Sequence, residues 1–343
     1  MEKQNLTRAS QELFQRTPDE SFESLRALST YCRAKREQSV DVWHPPSQIT
    51  PELIGEDFGV RLGSDGAFLL NDWSFSQLCK CAAVGKETIN RLSPHTAASA
   101  LKETLPRSNK PLQFYHRDQV IRSIHGTGYT RLHDSDVVAM LQEFAVDFQP
   151  PQVGMNGATG LYAGEQDLFC FLIDPQGWTE IEGEAFAPGF FIWNSEVGKR
   201  SIGIETFWFQ AVCQNHIVWD ATEVVEFTRK HTSSVHSALT EMKRIIEALV
   251  AKRDERRAGF IEVIGRAMRT KLGDDADEVL KTLTKNGIGR SVAKQAMAIA
   301  EQQGRFTIFA LVDALTRLSG EIVNAGDRTD ADERAGALLA LAQ

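Results

Sequence analysis

The chain has 343 residues, 42% hydrophobic and 24% charged, with a net charge of −8. That length supports a large core and two domains, and the composition excludes a disordered or low-complexity chain. The acidic balance excludes a protein that coats nucleic acid through bulk charge, and no apolar run is long enough to cross a bilayer.

The charge is uneven. Residues 1–230 carry 21 Lys and Arg against 30 Asp and Glu, a net of −9, while 231–343 carry 17 against 16, a net of +1. Local basic grooves therefore stay open to a polyanion. The start, MEKQNLTRASQELF, has no signal-peptide core, and Cys32, Cys79, Cys81, Cys170 and Cys213 are odd in number and sit mostly in apolar runs. Free thiols in the cytoplasm are the expectation.

Residues 1–50 read as a helical N-terminal extension and linker. Thr17, Pro18, Asp19 and Glu20 offer an N-cap, a first-turn proline and acidic residues, with Phe22, Leu25, Leu28 and Cys32 following at helical spacing. The proline-bearing segment 38–52 supplies the linker.

A core domain follows over 51–232. It opens with a hairpin, GVRLGSDGAFLLN, turning at Asp65-Gly66, where positive φ is needed. Asn71 or Asp72 caps a helix through Leu78, and short helices continue to about 104. LQFYHR and VIRSIH pair around Asp118-Gln119, and Asp134 or Ser135 caps a helix bearing Val137, Val138, Met140, Leu141 and Phe144. FQPPQVGMNGATG (148–160) is a loop, and DLFCFLID (167–174) a strand.

The centre of the domain is 189–221, GFFIWNSEVGKRSIGIETFWFQAVCQNHIVWDA, which reads as a long hairpin whose charged tip holds Glu196, Gly198, Lys199 and Arg200. Its second run is apolar on both faces, as in a covered central strand. One continuous core over 60–230 is expected. Glu180, Glu182 and Glu184 alternate like an exposed strand edge. A helical domain occupies 233–343, with Val235, Leu239, Met242, Ile245, Ile246 and Leu249 at helical spacing. The fold class is α+β: a hairpin-rich, mainly antiparallel sheet backed by helices, with a helical C-terminal region.

Two places interleave cations with aromatics, the pattern of single-strand binding. One holds Tyr115, His116, Arg117, Arg122, His125, Tyr129 and Arg131; the other holds Trp193, Lys199, Arg200, Phe207 and Trp208. The alternative is buried aromatics beneath solvated charges. In the tail, Gly287-Ile288-Gly289 followed by Arg290, Ala293 and Lys294 matches the second half of a helix-hairpin-helix. There, glycines let helix N-terminal amides approach a phosphate, with Lys281 and Lys285 adding charge. The alternative is a glycine C-cap. Asp167, Glu196 and Glu205 are carboxylates without metal-site spacing. Cys213 and His216 form half a zinc pattern, and His231 and His236 straddle a helix start, so no metal or cofactor is expected. No nucleophile triad, phosphate loop or dinucleotide fingerprint is present.

NSEVG at 194–198 and SIGIETFWFQAVCQNHIVW at 201–219 resemble the phage- and plasmid-borne family known as domain of unknown function 932. FSQLC (75–79), IRSIHGTGYTRLHDSDVV (121–138), YAGEQDLFCFLID (162–174) and RKHTSSVHSAL (229–239) extend the resemblance. It implies a mobile-DNA setting and supplies no catalytic residues. A hairpin-rich sheet backed by helices in that setting is similar to single-strand annealing proteins of the Rad52 type. The expectation is a non-enzymatic, cytoplasmic, oligomeric protein that binds single-stranded DNA. The contacts would be Tyr115, Arg117, Arg122, Tyr129, Arg131, Lys199, Arg200, Gly287, Gly289, Arg290 and Lys294. The rivals are a protein-binding regulator of host or mobile-element machinery and a metal-dependent nuclease.

Overall fold

A computed structural model describes residues 12–151, 160–211, 215–217 (as backbone), 226–302 and 306–342. The side chains of Cys213, His216 and Trp219, and most of the proline-glycine loop, lie outside the described residues.

The chain begins with a short strand β1 (Glu20–Ser21) and helix α1 (Leu25–Glu37), capped by Ser24 rather than Thr17. The expected linker is not a linker. Strand β2 (Ser39–His44), a 3₁₀ turn at Pro46–Gln48 and strand β3 (Ile49–Ile54) occupy it. Alternation in Ser39-Val-Asp-Val-Trp-His pairs β2 with a later strand, and Pro51 is tolerated because β3 lies at a sheet edge. Strands β4 (Asp57–Leu62) and β5 (Gly66–Leu70) form the first hairpin, and Asn71 and Ser74 cap α2 (Asp72–Cys81) reciprocally. Helices α3 (Lys86–Ile89) and α4 (Pro94–Thr104) precede strands β6 (Leu112–Arg117) and β7 (Val120–Gly126). The first sheet runs β2-β6-β7-β5-β4-β3, with β5 and β7 parallel. Phe58, Val60, Phe75, Leu78, Leu101 and Phe114 give it a core of its own under the three helices.

Helix α5 (Asp134–Phe144) leads into the second sheet. Its strands are β8 (Leu161–Ala163), β9 (Leu168–Ile173), β10 (Thr179–Ile181), β11 (Glu184–Asn194), β12 (Ile202–Gln210), β13 (Asn215–Ile217) and β14 (Phe227–Arg229). The order is β1-β8-β9-β11-β12-β13, with β10 on β11 and β14 on β12, antiparallel throughout. Glu182 and Gly183, both at positive φ, make the two-residue turn between β10 and β11, so the alternating glutamates bracket a hairpin tip instead of lying along one edge.

The β11–β12 ladder is covered on both faces, as its apolar pattern requires. Phe190, Ile192, Ile202 and Ile204 pack with α1, α5 and helix α6 (Ser237–Ala251). Phe169, Phe171, Phe191, Phe207 and Phe209 form an aromatic layer on the other face. Phe171, Phe191 and Phe207 meet edge-on and stacked at 5.0–6.3 Å, adding to the gain from burial. The single core expected over 60–230 is therefore divided: the first sheet has its own cluster, and the second sheet carries separate clusters on its two faces and against the tail helices.

The tail is helical: α7 (Arg253–Ala267), α8 (Ala276–Lys285), α9 (Arg290–Gln302), α10 (Ile308–Ser319) and α11 (Ala325–Gly336), ending in a 3₁₀ turn at Ala337–Ala342. It does not stand apart from the sheet. Phe260 of α7 stacks on Trp208 at 3.7 Å and meets Phe186, and Phe186 also touches Phe309.

Candidate nucleic-acid interface

The tip of the β11–β12 hairpin, expected to be a solvated turn, is buried between the two sheets. Asn194, Ser195 and Val197 are fully buried and Glu196 is 5% exposed. Helix α2, strand β7 and the turn after it grip the tip by its main-chain oxygens. Trp73 Nε1 donates to Val197 O at 2.8 Å, His125 Nε2 lies 2.9 Å from the same oxygen, and Tyr129 Oη donates to Glu196 O at 2.8 Å. Gly198 has a φ of +73°, and a Cβ there would press into the His125 and Tyr129 rings, so the turn needs glycine on both counts.

Two cations of the expected groove, Arg122 and Arg131, are held by this tip, and a third, Arg200, is held by α11. Arg122, 5% exposed, donates to Glu196 Oε1 at 2.6 Å. Arg131, 7% exposed, donates to Asp41 Oδ1 at 2.9 Å and to Glu196 O. Arg200 reaches α11 and donates to both oxygens of Asp330, at 2.8 and 3.2 Å. Tyr115 is 1% exposed beneath the Arg131 guanidinium, 3.6 Å from its ring centroid, and Tyr129 stacks on His125 at 3.6 Å. Lys199 is exposed with its ammonium 5.0 Å from the Trp73 ring centre, and Arg117 is half-buried. The single groove expected to gather Arg117, Arg122, Arg131, Lys199 and Arg200 is not assembled, because three of the five meet carboxylates inside the protein.

Sequence reasoning missed the partners. Glu196 Oε2 also accepts from the Asp134 amide at 3.3 Å, and Asn194 Nδ2 donates to Asp134 Oδ1 at 2.8 Å. Burial would raise the Glu196 carboxyl, but the Arg122 guanidinium, a His133 hydrogen bond and Lys35 hold it well below the carboxylate range. Burial and the Glu196 charge push Asp134 up to about 7. The proton of this carboxylate pair therefore rests on Asp134, which the sequence presented only as a helix cap. Burial and Arg131 lower His125 to about 4, so its imidazole is neutral near pH 7. Asp167, Glu196 and Glu205 go to separate neighbours: Asp167 to Arg16 and Arg200, Glu196 to Arg122, and Glu205 to Glu333.

The tail glycines are arranged differently. Gly287, at φ +81°, follows α8 as a left-handed cap residue, with its amide donating to Thr284 O. This is the capping role weighed as the alternative, and it coexists with an open loop. Neither Gly287 nor Gly289 has an atom within 4 Å of where a Cβ would stand. Helix α9 makes its first hydrogen bond from Ala293 N to Gly289 O, which leaves the amides of Arg290, Ser291 and Val292 ahead of it at the positive end of the helix. Lys281, Lys285, Arg290 and Lys294 are all exposed around this turn, and among the described residues none has an acidic partner within ion-pair distance. Ile288 is buried and anchors the loop between its two glycines.

No curated protein and no solved structure matches the chain. A family model does, the domain of unknown function DUF932, over residues 122–329, from the first residues of β7 through the hairpin tip and into α11. That span covers both Arg122 and Glu196 as well as the α8–α9 loop, and since it takes in more than half of the chain, the protein belongs to the DUF932 family.

Proposed function

We propose that the protein binds nucleic acid without catalysing a reaction, and that the α8–α9 hairpin makes the contact. The carrying observation is the coincidence of open glycines, unengaged helix N-terminal amides and four exposed cations, unpaired among the described residues, in a chain whose net charge is −8. A phosphate placed before α9 would meet backbone donors and local positive potential together. In its concrete form the protein anneals single strands as an oligomer in the cytoplasm of cells that carry mobile DNA. Free thiols at Cys32, Cys79, Cys81 and Cys170 support the reducing compartment. Among the described residues no helix is long and apolar enough to cross a membrane.

The test is anisotropy titration of a labelled single strand at several salt concentrations. Replacing Lys281, Lys285, Arg290 and Lys294 together by Gln should flatten the log–log salt dependence by roughly 0.7 for each phosphate that is no longer neutralised. A salt-independent or absent affinity in the unmodified chain overturns the proposal. One observation favours a second reading, a protein-binding regulator: the internal pairing of Arg122, Arg131 and Arg200 removes the sheet-side cations from any polyanion. A nucleic-acid-free result would select it.

A further inference from the structure

A cavity of about 240 Å³ opens beside the seam, where Tyr31 and Lys35 of α1 face Asn71, Arg117 and Arg122 of the first sheet. Lys35 is 5% exposed, yet its ammonium has one hydrogen bond, to the Gly164 carbonyl at 3.2 Å, and the Tyr31 ring centre at 5.3 Å. Among the described residues no carboxylate lies within ion-pair distance of it. The acidic groups whose charge acts on it are engaged elsewhere, Glu196 with Arg122 and Asp134 with the Asn194 amide. Burial and the Arg122 charge both disfavour its ammonium, and the charges of Glu196 and Asp134 offset this only from beyond ion-pair distance. The fold keeps it there nonetheless, at the wall of a polar cavity.

We propose that this cavity binds a small phosphate-bearing ligand, with Lys35, Arg117 and Arg122 facing its oxygens. Two guanidinium groups and an ammonium suit a compact tetrahedral anion, the guanidiniums by directed N–H pairs and the ammonium as a point charge. The volume lies below that of a drug-sized pocket, so the ligand is inorganic phosphate or the phosphate ester of a short polyol. Glu20, Asp118 and Glu165 also line the wall. They would accept from hydroxyls of an ester body, and they oppose a longer polyanion such as a nucleic-acid strand. The site is thus separate from the α8–α9 hairpin and does not depend on it.

The experiment uses the full chain, with calorimetric titration and thermal melting in inorganic phosphate and in glycerol 3-phosphate, against chloride at matched ionic strength. Saturable binding and a dose-dependent rise in Tm are expected. Tighter binding of the ester identifies a polyol phosphate, and equal binding identifies phosphate itself. Lys35→Met should abolish the response while leaving the ligand-free Tm unchanged or higher, because a buried charge without a direct ion pair has gone. A lower ligand-free Tm would make Lys35 a structural cation and overturn the proposal. Arg117→Gln, at a half-buried position without an ion pair among the described residues, should fold normally and weaken phosphate about tenfold. Absence of saturable binding overturns the proposal, as does an affinity unchanged in both variants. Should Lys35→Met fail to fold, Arg117→Gln decides alone.

Discussion

Two regions of this molecule carry basic residues, and they treat them in opposite ways. At the seam between the sheets, arginines are buried against carboxylates that come from distant parts of the chain, and aromatic rings stack on them from within. At the α8–α9 hairpin the cations stand in solvent around open glycines, with no acid engaged among the described residues. Residue type in sequence is similar in both places; availability is not. A cation reads the backbone of a nucleic-acid strand only if it stands free in solvent, so the contrast separates one interface from one structural lock.

The largest expected effect breaks the lock. Glu196→Ala leaves the Arg122 guanidinium buried without its partner, at a cost of about 3–5 kcal/mol, measured by urea unfolding. Adding Arg122→Met should recover much of that cost, since paired replacement by apolar groups is far milder than removing one member. A single-variant cost below about 1 kcal/mol would show that the seam is open to water and that the two regions are not opposites. Such a result would make Arg122 available to a nucleic-acid strand again.

A smaller effect comes from pH. Asp134 and Asp332 are both pushed up to about 7 by burial, Asp134 also by Glu196. Raised carboxyls keep protons that the unfolded chain releases, so their contribution is complete below the unfolded value near 4 and is lost as pH climbs through 7. Glu196, held low, works the other way: its contribution is present above the ordinary glutamate value and disappears in acid. The share of stability carried by these two carboxyls should therefore fall by on the order of 5 kcal/mol between about pH 5 and 8, about 1.4 kcal/mol per pH unit for each, while the lowered His125 and His231 oppose that fall below about pH 6.5. Asp134→Asn keeps an acceptor for Asn194 and should flatten part of that slope in thermal melts. An unchanged slope would mean that Asp134 is ionised in the fold and that the seam holds a second negative charge beside Glu196.

The same contrast explains what the sequence made legible. Period-two alternation and turn chemistry located the Asp65-Gly66 hairpin, the Asn71 cap, both strands of the central hairpin and the helical tail, because those signals are local. Residues 38–52 misled because prolines mark both linkers and edge strands, and only the partner strand β6 distinguishes them. The tip at 194–200 misled for a deeper reason. Its fate depends on pairs separated by 74, 90 and 130 positions, Arg122–Glu196, Arg131–Asp41 and Arg200–Asp330, and no periodicity reports such pairs. A turn rich in polar and charged residues looks solvated until a second sheet is placed over it. The α8–α9 loop was legible because its geometry is local: two glycines, a helix start and cations one turn away.

The smallest structural effect sharpens the comparison most. Gly289→Ala meets no atom within 4 Å, and Gly289 lies outside the left-handed region, so stability should stay within about 0.5 kcal/mol of the parent or rise slightly. The added methyl group would nonetheless stand where a phosphate must approach the amides ahead of α9. Single-strand affinity should then fall about tenfold, the value of one charge-assisted backbone hydrogen bond, while the salt slope, set by the unchanged cations, stays the same. The Gln replacements at Lys281, Lys285, Arg290 and Lys294 should do the reverse and flatten the slope. If the alanine variant binds as tightly as the parent while the Gln replacements abolish binding, the contact is made by side-chain charge alone and the glycines are only a helix cap. If neither set changes affinity, bound DNA lies elsewhere on the protein and the exposed hairpin loses its claim over the buried seam.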